Sequence, residues 1–199
     1  AQAVFLNNIE QYLDKLIWQY QNWQKVKDNG KQFLLEVMSR ANLRNFYVNL
    51  YCTDKDGQVW LLDHLLDHFL ATEKQSFMTL LGDFGTGKSS FALHYFMVQA
   101  QRYLQDKSRR IPIFVSLKDY RGQLNLETFI THEFAENFKL SFSVAVFQNL
   151  ALQGKFLLFV DGFDEMASMS NEQETILNFK DMTKLSFENL QFMTQAADR

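Results

Sequence analysis

The chain has 199 residues, 47% hydrophobic and 22% charged, with a formal net charge of −3. That is enough apolar material for one globular domain plus an appendage, and it excludes a solvated tail. The acidic balance gives no general attraction for nucleic acid, the single Cys52 excludes an internal disulfide, and no apolar run nears the ~20 residues of a membrane span. A soluble protein in a reducing, cytoplasmic setting fits. Charges and amides stand where a signal peptide would be greasy, and the start at Ala1 rather than Met is expected of a piece of a longer protein.

Over 4–26, Phe5, Leu6, Ile9, Tyr12, Leu13, Leu16, Ile17, Tyr20 and Trp23 recur at the spacing of an amphipathic helix, and Asn29-Gly30 ends it. A second helix is expected over 33–43. Residues 1–45 thus read as an N-terminal helical segment, packed on the domain or on a neighbour. Residues 46–51 alternate and are rich in strand formers, and Asp56-Gly57 signals a turn, so a strand or an extended arm is expected there. A helix over 59–70 then sets Asp63, His64, Asp67 and His68 on one side. Paired histidines can bind a metal, but the other ligands of a metalloprotease site are absent, so the expectation is a solvated face. Arg102, Lys107, Arg109 and Arg110 are read in the same way, as a solvated helix end.

Gly82, Asp83, Phe84, Gly85, Thr86, Gly87, Lys88 and Ser89 fill the phosphate-loop pattern G-x-x-x-x-G-K-[ST] without a gap. Its glycines let backbone N–H groups converge on an anion, and the following helix adds the positive end of its dipole. Lys88 would reach the β- and γ-phosphates and Ser89 would ligate Mg²⁺, with Ser90 a weaker candidate in the same turn. The context agrees: a short apolar strand over 77–81 precedes the loop and a long helix over 91–104 follows it. Next come a strand over 111–117 with Pro112 near its start, helices over 126–138 and 144–152, and the stretch Phe156-Leu157-Leu158-Phe159-Val160-Asp161. Five consecutive apolar residues suit a parallel strand buried on both faces, with Asp161 at the carboxyl end where such sheets bind ligands. Asp161 is placed to hold Mg²⁺, directly or through water. Asp164 and Glu165 can return to the same side in one helical turn, where one is a candidate base or orienter of water; alone, the three acids would read as charges at a helix N-terminus.

On GDFGTGKSS at 82–90, PIFVSLKDY at 112–120 and FLLFVDGFDEMA at 156–167, the chain resembles the NACHT family of P-loop signalling NTPases. Asp161-Gly162-Phe163-Asp164-Glu165 matches that family's Mg²⁺ aspartate, small residue and acidic pair residue for residue. The resemblance covers about 46–167. It implies an α/β P-loop NTPase, a three-layer sandwich around a mainly parallel sheet, over 46–199. It also implies ATP and Mg²⁺ as cofactors, and a slow ATPase used as a switch controlling assembly of a larger signalling or defence protein that self-associates. A nucleotide-stabilised scaffold and another P-loop enzyme are the alternatives; no N-K-x-D motif argues for guanine. Beyond Ala167 no apolar strand precedes Arg199, so no sensor role passes to that arginine. The sheet is therefore expected to be incomplete, with the slot between the 77–81 and 156–161 strands empty or makeshift around Met193.

Overall fold

In a computed structural model, the described residues are 1–21, 47–72, 77–83, 85–117, 126–138, 143–163 and 191–196, with 173, 176, 177 and 180. The elements in order are α1 (Gln2–Gln21), β1 (Tyr51–Thr53), β2 (Val59–Leu61), α2 (Leu62–Ala71), β3 (Phe77–Leu81), α3 (Lys88–Gln105), β4 (Ile111–Ser116), α4 (Leu126–Phe138), α5 (Val144–Leu152), β5 (Phe156–Asp161) and β6 (Gln191–Ala196). The helix expected over 33–43 lies outside the described residues.

Of the strand or extended arm expected over 46–51, Tyr51 alone lies in a strand among the described residues, and the helix expected from residue 59 begins three residues late. Asp54 is the cause. Its Oδ1 accepts the N–H groups of Asp56 and Gln58, each at 2.9 Å, and its Oδ2 accepts Trp60 Nε1 at 2.8 Å. This side-chain turn folds the chain back, so that β1 and β2 pair antiparallel with Cys52 opposite Trp60.

The main sheet has the order β3-β6-β5-β4, and all its pairings are parallel. Of the two expected outcomes the empty slot is overturned and the other holds: the slot between β3 and β5 is filled by the stretch around Met193. Thr194 pairs with Thr79 on one side and with Val160 on the other. Gln191, Thr194 and Gln195 make β6 too polar to read as a central strand from hydrophobicity; two neighbours satisfying its backbone define it instead. Pro112 is tolerated because β4 is an edge strand among the described residues.

Every residue of β5 is buried. Phe159, on one face, meets Phe96 of α3 with ring centroids 5.8 Å apart, while Phe156, on the opposite face, stacks on Phe147 of α5 at 4.8 Å. Helices thus cover both faces, as a near-continuous apolar strand requires. The amphipathic α1 buries Phe5, Ile9, Tyr12, Leu13 and Leu16 in this same core, with Phe5 edge-on to Phe156 and Tyr12 edge-on to Phe134 of α4.

Candidate functional site

The phosphate loop leaves β3 at Leu81 and enters α3 at Lys88. Thr86 closes the loop on itself, its Oγ1 donating to the Asp83 carbonyl at 2.8 Å. Gly87 caps α3 in the left-handed region at φ 91° and, as a glycine, offers no capping side chain to the first N–H groups of that helix. The N–H groups at such a helix start, with the positive end of the helix dipole, are suited to an anion. The Lys88 ammonium donates to the carbonyls of Gly82 and, at 2.9 Å, of Asp83. Among the described residues these partners are carbonyl dipoles.

Ser89 Oγ donates to Asp161 Oδ1 at 2.9 Å across 72 residues of sequence. Asp161, only 6% exposed, stands at the carboxyl end of β5. A hydroxyl and a carboxylate are the hard oxygen donors that Mg²⁺ takes, so these residues fit that ion. The structure brings Gly82, Asp83, Gly85, Thr86, Gly87, Lys88 and Ser89 together with Asp161, and puts Ser90 half-buried in the first turn of α3. Phe84, Asp164 and Glu165 lie outside the described residues.

Of the face of α2 expected to be solvated, His64 and His68 are exposed, whereas Asp63 and Asp67 brace the phosphate-loop helix. Asp67 receives Arg102 through both carboxylate oxygens, at 2.5 and 3.2 Å, and also accepts Tyr95 Oη at 2.5 Å. Although partial burial opposes it, this set of donors holds the Asp67 carboxyl below the usual range. Asp63 approaches His94 Nε2 at 3.8 Å, and Tyr47 stacks on that imidazole with centroids 3.8 Å apart. His68 stacks on Trp60. Among the described residues no group of His, Cys, Asp and Glu could hold a metal by itself. In the basic cluster, Lys107 and Arg109 are exposed, as expected of a solvated helix end, and pair with Glu10 at 3.1 Å and Asp106 at 3.5 Å, while the half-buried Arg102 and Arg110 engage Asp67 and the Gly154 carbonyl. Sequence patterning missed Asp67, Glu10 and Gly154 as partners because they lie far along the chain from Arg102, Lys107 and Arg110, whereas Asp106 is only three residues from Arg109.

A glycine-rich loop between strand and helix, with its hydroxyl hydrogen-bonded to an aspartate at the end of a parallel strand, defines a P-loop NTPase of the α/β class. The NACHT domain model matches residues 76–190, and the chain belongs to the NACHT domain family. The match extends past Ala167, where the resemblance in the motifs ends. Membership supports a nucleotide-binding, signalling role. The chain is also similar to an uncharacterized WD repeat-containing protein of Nostoc sp., at 35% identity over 136 residues, 66% of this chain and 9% of that protein. No solved structure matches. Among the described residues, no helix is long and apolar enough to cross a membrane.

Proposed function

We propose that the chain binds ATP with Mg²⁺ and hydrolyses it slowly, as a cytoplasmic switch that controls self-association and assembly of a larger signalling or defence protein. The observation that carries this reading is the 2.9 Å hydrogen bond from Ser89 to Asp161, which joins the phosphate loop to the acidic strand end. Bound Mg²⁺ would neutralise phosphate charge and orient the terminal phosphoryl group. Ser89 and Asp161 would hold it, the Lys88 ammonium would bind the β- and γ-phosphates, and the loop N–H groups would cradle the anion. Asp164 or Glu165 would orient the attacking water.

The test is calorimetric titration of Mg-ATP into the full-length protein and its Lys88→Ala variant. Loss of the loop's cation should abolish binding or weaken it at least ~10-fold, since a charge-assisted contact contributes about 1.5–3 kcal/mol. Unchanged affinity would overturn the site. Asp164→Asn or Glu165→Gln should leave ATP bound but unhydrolysed and favour the assembled state. Wild-type protein that binds ATP yet releases no phosphate under any activating condition would instead be a nucleotide-stabilised scaffold.

A further inference from the structure

We propose that Ser116 is a positioning residue for the divalent cation, its hydroxyl ordering the hydration shell of the ion held by Ser89 and Asp161. This rests on the metal reading above and adds a residue that the phosphate-loop pattern does not name. In the parallel ladder of β4 and β5, Ser116 stands directly beside Asp161, and two residues earlier Phe114 stands beside Phe159. Phe96 of α3 meets both of those rings, at 5.7 and 5.8 Å, so this is the face that α3 covers. Side chains two residues apart on a strand share a face, which puts Ser116 and Asp161 on the α3 side as well. The first turn of α3 brings Ser89 onto Asp161 there. Leu117 N donates to the Asp161 carbonyl at 2.8 Å, so the ladder stays closed to its last level and fixes the serine next to the aspartate.

Composition sharpens the placement. Ile-Pro-Ile-Phe-Val-Ser and Phe-Leu-Leu-Phe-Val-Asp contain one polar side chain each, and the two are neighbours at the ligand end of the sheet. Ser116 is half-buried, in a strand whose other residues are all buried. Mg²⁺ gives up water reluctantly and keeps several molecules, which need acceptors in fixed positions. A serine hydroxyl accepts from a metal-bound water while it donates to a carboxylate or phosphate oxygen. Such outer-shell partners affect metal affinity about 10–100-fold.

The experiment titrates Mg²⁺ into the full-length protein holding a fluorescent ATP analogue, with parallel measurements in EDTA. Ser116→Ala should raise the Mg²⁺ midpoint about tenfold and leave the EDTA affinity unchanged, while Ser116→Thr, which keeps the hydroxyl, should restore the midpoint. If Ser116→Ala fails to fold, Ser116→Cys, similar in size and a poor hydrogen-bonding group, should show the same shift. Asp161→Asn separates the two readings. A shift with Asp161→Asn but none with a folded Ser116 variant overturns the Ser116 inference alone; no shift with either overturns the metal reading beneath it. Equal losses with and without Mg²⁺ would make Ser116 merely structural and also overturn the inference.

Discussion

Gly87 carries two independent constraints. Its φ of 91° is in the left-handed region, and a Cβ there would lie 3.3 Å from Leu50 Cδ1. Gly85, at φ 82°, has the first constraint without the second, since nothing lies within 4 Å of its Cβ position. Alanine at either position should cost about 1–2 kcal/mol from backbone conformation. Gly87→Ala should cost more than Gly85→Ala, and Leu50→Ala should recover the excess in a double-mutant cycle read by thermal unfolding. Equal costs would show that Leu50 does not press on the loop. Asp161→Asn should spare most of the nucleotide affinity and reduce its Mg²⁺ dependence; an unchanged response to Mg²⁺ would remove Asp161 from the metal. At this scale the sequence was informative about which residues come together, as with Gly87 at the start of α3 and Ser89 beside Asp161. It was silent on Leu50 and Ser116, common residue types whose neighbours are set by the fold.

Among elements, α3 is tied at its phosphate end to β5 through Ser89 and along its length to α2 through His94, Tyr95 and Arg102. The Tyr47–His94 stack adds the arm before β1, whose Leu50 carbonyl accepts Leu62 N at 2.9 Å. Burial lowers the His94 pKa, with Asp63 opposing it, and burial followed by the charge of Asp63 raises that of Tyr47, so both rings are neutral at pH 7. A histidine with a depressed folded pKa contributes stability above its unfolded value of about 6.5 and loses it as pH falls through the folded one. The protein should therefore melt at a lower temperature at pH 5 than at pH 7.5, and His94→Phe should flatten the slope over that window. A slope that His94→Phe leaves intact would assign it to other groups. The helices were legible from their periodicity, yet two residues of α2 were misread, because Asp63 and Asp67 look like surface charges until α3 is laid against them.

For the whole molecule, the decisive placement is β6 at the centre of the sheet, paired on both sides. A run such as β5 is identifiable alone, because burial on both faces demands uniform hydrophobicity. The polar β6 is identifiable only after β3 and β5 exist as its two templates, so local patterning could not find it. Position in the sheet also separates two prolines. Pro112 sits on edge strand β4 at no visible cost, whereas proline at Thr194 would enter a strand bonded to β3 through Thr79 and to β5 through Val160. Thr194→Pro removes a backbone donor and crowds the chain, which costs about 3 kcal/mol or more in regular structure. Because β6 holds the phosphate-loop strand to the strand that ends in Asp161, Ser89 and Asp161 should separate as the ladder opens. Thr194→Pro should then lose Mg-dependent nucleotide binding together with the amide-exchange protection of residues 77–81 and 156–161. Wild-type protection of both strands in that variant would show that β6 does not join them.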